Sequence, residues 1–225
     1  MVTVSIVSHG HARLCLGLLE SLGAIEEIDR IIIRINDKSI ENTELLRTLV
    51  SDKRCDVYFN EMRYGFAKNN NLNFAHCESK YFFILNPDTR MIHWNRKSLF
   101  GSLIIPKVVN LDGSLAENGR SFLTPRNMIL RLFGFADRRK EWFGGMAILI
   151  ASSVYEEIGG FDEGYRLYVE DCDLFYRAKN FGYLAREDNR IIVMHEGQRD
   201  SRRKLRHLVY HIMGLLRFWR KNFCL

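Results

Sequence analysis

Five carboxylates crowd one short stretch of this chain, GGFDEGYRLYVEDCD at residues 159–173: Asp162, Glu163, Glu170, Asp171 and Asp173. Gathering like charges is unfavourable unless water, a cation or the positive end of a helix receives them. The sequence that follows, LFYRAKNFG, puts Leu174, Phe175 and Ala178 at helical spacing and stops at Gly182, so the acids stand at or near a helix N-terminus. Two readings fit that position: capping with dipole compensation, or a carboxylate that accepts a proton during a reaction.

Other residues with chemical potential lie at the ends of apolar runs. Asn86-Pro87-Asp88 follows YFFIL, where a carboxylate can take Mg²⁺ or Mn²⁺ together with phosphate oxygens; the same tripeptide is also a common turn. His195 closes IIVMH and is either a ligand or an ordinary packed or exposed histidine. Asn69-Asn70-Asn71 occupy the first turns of an apolar-periodic segment despite poor helix propensity, which points to side chains used for hydrogen bonding, or to an N-terminal cap.

These residues need elements to position them. Strands are expected at Val2 to Val7, Ile31 to Ile35, Asp56 to Phe59 and Tyr81 to Leu85, with helices at Ala12 to Leu22, Glu41 to Val50 and Gly65 to His76 between them. That alternation predicts an α/β fold with a mostly parallel mixed sheet and helices on both faces, and a ligand site beyond the carboxyl ends of the strands. Ser8-His9-Gly10, Asn36-Asp37 and Asn86-Pro87-Asp88 all fall there. Further strands are expected at Ser102 to Ile105, Met146 to Ile150 and Arg190 to His195. Residues 120–143 have no clear periodicity and suggest a loop or a partner-specific insertion.

A length of 225 residues suits one catalytic-sized domain over 1–197 with an appended segment, 198–225. With 47% hydrophobic and 27% charged residues the chain is neither disordered nor collagen-like, and no apolar run is long enough to span a bilayer. The opening MVTVSIVSHG alternates like a strand and lacks a basic leader, so no secretory signal is expected. Five scattered cysteines without a CxxC pair fit reduced thiols in the cytoplasm.

The net charge of +6 is local. Residues 198–225 carry eight Lys or Arg against one acid, which leaves the remainder slightly acidic and disfavours a nucleic-acid partner. From Ser201 onward, Leu205, Leu208, Val209, Ile212, Leu215, Leu216 and Trp219 recur at helical spacing, while Arg206, Tyr210, Arg217 and Arg220 fall largely elsewhere. This basic amphipathic helix suits either an anionic membrane surface, through 201–221, or docking on the main domain.

Seven pieces in order, VSIVSHG, NDKS, GFAKNNNLNFA, FFILNPDT, GGMAILIASSVYEEIGGFDE, YVEDCDLFYRAKNFGY and IIVMHEG, resemble a family 2 glycosyltransferase of the GT-A fold, and within it the bacterial rhamnosyltransferase-like members. The likeness covers about residues 2–197. It implies inverting transfer of a sugar, rhamnose among the candidates, from a dTDP- or UDP-sugar to a hydroxyl of a glycan or lipid-linked acceptor in bacterial surface polysaccharide synthesis. By position, Ser8, His9 and Asp37 would contact the nucleotide, Asn70, Asn71 and Asn86 its diphosphate end, and Asp88 with His195 a divalent cation, Mg²⁺ or Mn²⁺. Asp171 corresponds to the general base, with Trp142 and Glu170 on the acceptor side. Arg63, Asn73 and the order Asn36-Asp37 depart from the family pattern and bear on nucleotide recognition. The competing readings are a sugar-phosphate nucleotidyltransferase, which needs a Gly-rich basic phosphate loop where this chain has SHGHAR, and a non-catalytic membrane or polyanion-binding module. A dehydrogenase is disfavoured because no GxGxxG follows a strand.

Overall fold

Runs of β-branched and aromatic residues build a single large sheet. The computed structural model describes residues 1–36, 52–135, 139–197 and 205–223. Eight strands pair in the order β3-β2-β1-β4-β9-β6-β10-β5: β1 (Val2–Ser8), β2 (Ile28–Ile35), β3 (Cys55–Phe59), β4 (Tyr81–Leu85), β5 (Thr89–His93), β6 (Leu103–Asn110), β9 (Ala147–Ala151) and β10 (Arg186–His195). β1, β2, β3 and β4 run parallel, as do β6 and β10; β9 runs antiparallel to both β4 and β6, and β5 antiparallel to β10. Two reversals through β9 therefore return β10 to the direction of β1 and β4. β7 (Gly119–Arg120) and β8 (Trp142–Phe143) form a separate two-stranded ribbon.

Continuous burial of β1 and β4 explains their unbroken apolar runs, because strands covered on both faces need not alternate polar with apolar. Alternate side chains enter two cores. Tyr81, Phe83 and Leu85 join Val4, Ile6, Leu18 and Leu22 on the side of α1 (Ala12–Leu22); Phe82 and Ile84 join Tyr155, Phe161, Phe175 and Phe218 on the other. The second core includes residues of α4 (Ser152–Glu157), α5 (Glu170–Asn180) and α6 (Leu205–Phe223).

The expected strands and helices within the described residues are present, with shifted ends; the helix expected at Glu41 to Val50 lies outside the described residues. The expected loop at 120–143 contains α3 (Pro125–Leu132), whose Thr124 side chain accepts from the Asn127 N–H, and the edge of the β7-β8 ribbon. A helix this short, with exposed Ile129 and Leu132, has too little periodicity to stand out in the sequence.

The asparagines of α2 (Phe66–Phe74) join that helix to its surroundings. Asn73 donates to Ser5 Oγ (2.9 Å) and accepts from Arg34 Nε (2.7 Å), Asn70 accepts from Ser5 Oγ (2.8 Å), and Asn69 accepts from Asn60 Nδ2 (2.6 Å). Asn71 faces the second core instead: it accepts from the Tyr155 hydroxyl (2.7 Å) and the Phe161 N–H (3.0 Å) and donates to Phe161 O (2.8 Å). The start of α2 comes so close to the 165–166 backbone that a Cβ on Gly65 would lie 2.5 Å from Arg166 O. No helix among the described residues is long and apolar enough to cross a membrane.

α6 packs on the second core through Phe218, which is fully buried, with Leu215, Trp219 and Phe223 beside it. Arg217, expected to point away from the apolar face, turns inward to pair with Asp162 (2.8 Å), and Lys221 joins it, pairing with Asp162 (2.9 Å) and Asp173 (3.1 Å). Trp219 Nε1 donates to Leu123 O (2.7 Å). Asn71→Ala leaves the buried Tyr155 hydroxyl without its acceptor and the Phe161 N–H with only the longer contact to the Tyr155 hydroxyl oxygen (3.4 Å), so urea denaturation should show a loss of about 2 kcal/mol, while nucleotide affinity of the folded protein stays within about threefold. A drop in affinity with unchanged stability would return Asn71 to the ligand site.

Candidate functional site

Strands β1, β4 and β10 end at one edge of the sheet, and the segments beyond them enclose two cavities. The first, of 330 Å³, is lined by Val7, His9, His11, Asn86, Pro87 and Asp88 among others. The second, of 620 Å³, is lined by Asn118, Arg120, Trp142, Glu170, Asp171 and His195, and by His207, Leu208 and His211 from α6. One contact joins them: Asp88 belongs to the first cavity and His195 to the second, and His195 Nε2 lies 3.1 Å from Asp88 Oδ2. β5 holds this pair in place, since Thr89 sits opposite His195 in the ladder and the Glu196 N–H donates to Asp88 O (2.9 Å). Burial raises the proton affinity of Asp88, but the hydrogen bond and charge of His195 outweigh it and keep this carboxyl below the usual range.

Asp171 stands in the first turn of α5. Its Oδ1 accepts from the Cys172 N–H (2.8 Å) and its Oδ2 from the Gly145 N–H (3.2 Å), which fixes the carboxylate relative to β9. Burial raises its proton affinity above the ordinary range, against those hydrogen bonds and the charge of Arg120. Glu170 is 6% exposed, and its buried Oε2 has no hydrogen-bond partner among the described residues. Burial first, and the neighbouring Asp171 charge second, push Glu170 further up.

The turn into α5 is strained. Tyr168 and Val169 adopt φ of 70° and 71°, a region that non-glycine residues avoid and a β-branched valine most of all. α6 braces this turn: the Tyr168 hydroxyl meets His207 Nδ1 at 2.8 Å, and a Cβ on Gly214 would lie 3.0 Å from Tyr168 O and from a Val169 methyl.

The residues singled out from the sequence separate into groups. His9, Asn86 and Asp88 line the first cavity; Trp142, Glu170, Asp171 and His195 line the second. Trp142 also donates from Nε1 to Ser121 O (2.9 Å). Asp37 lies outside the described residues. Ser8 is buried, and its Oγ accepts from the His11 N–H (3.3 Å). Asn70 and Asn71, expected at the diphosphate end, are not among the lining residues of either cavity; their amides bond within the fold. Asp173 is likewise held inside, by Arg177 (2.7 Å) and Lys221, and by the Tyr165 hydroxyl (3.1 Å).

Sequence reasoning missed His11, Asn118, Arg120, His207 and His211. His207 and His211 share a helix face at i and i+4, a visible signal that the basic, amphipathic character of the segment obscured. Asn118 and Arg120 sit in and before a two-residue strand, too short to leave a periodic signature.

Solved glycosyltransferases share this architecture. GalNAc-T7, solved with UDP, GalNAc and Mn²⁺, superposes with a TM-score of 0.73 at 14% identity over 98% of this chain and 47% of that one. The mannosyltransferase PcManGT of Pyrobaculum calidifontis, in complex with GDP-Man and Mn²⁺, gives 0.65 at 16% identity, over 96% of this chain and 64% of that one. The sheet is therefore that of the GT-A fold. The chain is similar to rhamnosyltransferase WbbL from Escherichia coli K12, with 28% identity over 230 residues that cover 90% of this chain and 86% of that protein. A shorter match, 31% over 77 residues (34% of this chain, 25% of the relative), is to the N-acetylglucosaminyl-diphospho-decaprenol L-rhamnosyltransferase of Mycobacterium tuberculosis. No family model matches the chain.

A divalent cation is consistent with these neighbours. Among the described residues no three His, Cys, Asp or Glu side chains cluster as a complete ligand set. Mg²⁺ and Mn²⁺ in phosphate chemistry need only one or two protein ligands, with substrate oxygens and water supplying the rest. Asp88 and His195 fit that requirement, and the buried, unpartnered Nδ1 of His11 lines the same cavity as Asp88.

Glu170 gives the site a stability signature. A carboxyl whose folded-state proton affinity is raised contributes stability that is complete below its unfolded value, roughly pH 4.3, and is lost as pH rises through the folded value. Melting temperature should therefore fall as pH rises from about 5 towards 8, and Glu170→Gln should flatten that fall by a few °C. Equal slopes for wild type and variant would show that Glu170 ionises as freely as a surface acid.

Proposed function

We propose that the protein moves a sugar, with inversion, from a nucleoside diphosphate held in the first cavity to a hydroxyl held in the second. The observation that carries this reading is the junction of the two cavities at Asp88 and His195, with Asp171 fixed on the acceptor side. An alcohol is a weak nucleophile at neutral pH, so the acceptor needs a base. Asp171 suits that role: two backbone N–H groups aim its carboxylate, and burial brings its proton affinity nearer to the working pH than that of an exposed aspartate. As Asp171 takes the hydroxyl proton, the acceptor oxygen attacks the anomeric carbon from the face opposite the diphosphate, and one displacement inverts that centre. Bound at Asp88 and His195, Mg²⁺ or Mn²⁺ would supply Lewis-acid stabilisation of the departing diphosphate. His9, His11 and Asn86 line the donor cavity as hydrogen-bonding groups for the nucleotide end.

Both rhamnosyltransferase relatives favour an activated rhamnose as donor, carried on dTDP or UDP in our reading, and the mycobacterial one a lipid-linked acceptor. A lipid-linked acceptor fits the outer face of α6, where Leu208, Val209, Ile212, Met213 and Leu216 are exposed beside Arg220. With the basic residues of 199–206 in the same segment, that face suits peripheral contact with an anionic bilayer on the cytoplasmic side.

Asp171→Asn should lower transfer by about 10²- to 10⁴-fold and leave donor affinity within a few-fold; transfer within tenfold of wild type would remove Asp171 as base. Flotation checks the surface: wild type should rise with anionic vesicles at low salt, and the Ile212→Glu, Leu216→Glu double variant should bind about tenfold less. Absence of wild-type flotation would exclude the membrane contact without touching the transfer reading.

A further inference from the structure

We propose that α3 and the turn that follows it insert into an anionic lipid surface, as a contact separate from α6. The inference deepens the peripheral-contact reading given above by assigning a further element that enters the lipid.

α3 is turned inside out. Its polar residues face the protein: Asn127 is 6% exposed and donates from Nδ2 to Phe122 O (2.9 Å), while Arg131 donates from Nη2 to Ser121 O (2.9 Å) and Ser121 Oγ (3.0 Å). Its large apolar residues face water, with Ile129 54%, Leu132 84% and Phe133 74% exposed. At about 3.6 residues per turn these three share one face, opposite the side that carries Asn127 and Arg131. A helix that only packs on its own domain orders its faces the other way, because apolar surface left in water is unfavourable.

The patch is also held in shape. Gly134, at φ 78°, ends the helix in a Schellman turn: its N–H donates to Arg131 O (3.1 Å) and the Phe135 N–H to Leu130 O (2.9 Å). Phe135, 68% exposed, is therefore fixed at the helix end. Single exposed apolar side chains are ordinary, whereas four gathered on one short element mark an interaction surface.

Charge selects the occupant. Residues 120–143 carry six Lys or Arg against two acids, Asp137 and Glu141. Glu141 is turned inward, its Oε1 accepting from Lys179 Nζ (3.0 Å) and its Oε2 from the Phe122 N–H (3.1 Å). Arg126 is exposed one turn ahead of Ile129, on the outward face. A second copy of this chain, seated face to face, would set these cations against their own equivalents. Anionic headgroups receive them, while the boundary with the acyl chains receives Leu132, Phe133 and Phe135. The place in the fold agrees: Leu123, just before α3, accepts from Trp219 Nε1 of α6 (2.7 Å) and lines the second cavity together with Leu208, so both exposed apolar elements adjoin one cavity.

Flotation of the full chain at low salt, on vesicles of phosphatidylglycerol and phosphatidylethanolamine, tests the assignment. The Leu132→Ser, Phe133→Ser, Phe135→Ser variant should bind about 10- to 100-fold less than wild type, with nucleotide affinity and melting temperature unchanged because the three side chains are exposed. Wild type should bind phosphatidylcholine vesicles about tenfold less than anionic ones. Brominated acyl chains should quench a larger share of tryptophan emission in Phe133→Trp than in wild type. Equal flotation of wild type and the triple variant, or equal quenching of wild type and Phe133→Trp, would overturn α3 as an insertion surface and leave the α6 contact standing. Equal binding to neutral and anionic vesicles would overturn the choice of an anionic surface. A triple variant that loses self-association in light scattering while its flotation is unaltered would give the face to a second copy instead. Absence of wild-type flotation removes both membrane contacts, and none of these results bears on Asp171→Asn.

Discussion

Neutralisation of Asp162 and Asp173 by cations from two helices is the constraint on which the surroundings of the second cavity depend. Five carboxylates within residues 159–173 cannot all be drawn out of water together. Arg217 and Lys221 from α6 and Arg177 from α5 meet two of them, and the guanidinium of Arg177 extends to the carbonyl oxygens of Ile158 and Gly160. Glu163 stays at the surface against Asn71. Only the Glu170-Asp171 pair then remains to be desolvated, and burial raises the proton affinity of both. Breaking a buried pair strands a charge, so these ion pairs fix the arrangement more than they add to net stability.

The same docking holds the strained entry to α5. Left-handed Tyr168 and Val169 persist because surrounding contacts leave them no alternative, and Gly214 lets the last helix approach closely enough to provide those contacts. The segment 198–225, which has the composition of an appendage, thus contributes a helix that is at once part of the second core, a brace for the turn before Asp171, and a wall of the second cavity.

How much of this was legible in the sequence depended on whether a residue's role came from its local pattern. The strands of the first half and the helix after Asp173 announced themselves through periodicity, and the cavity positions of Asn86, Asp88 and His195 through their place just past apolar runs. Asn70 and Asn71 did not, because the same amide can meet a phosphate or a buried hydroxyl, and only the rotation of α2 against Ser5 and Tyr155 decides which. The inward turn of Arg217 and Lys221 was hidden for a related reason: periodicity sorted them by hydropathy, whereas their partners Asp162 and Asp173 lie far away in the chain. β7, β8 and α3 are too short to carry a period, and their geometry comes from the core they cover.

The two cavities divide the chain in order as well as in space. Apart from Leu167, the first is lined by residues between Val7 and Asp88, and the second entirely by residues between Glu117 and His211. If the first holds the donor and the second the acceptor, as proposed, inheritance can treat them separately: exchange of the downstream half between related genes would redirect the enzyme to a new recipient while the activated sugar it accepts stayed the same, provided the β4–β9 pairing, the Asn71 contacts with Tyr155 and Phe161 and the meeting of Asp88 with His195 are kept in register.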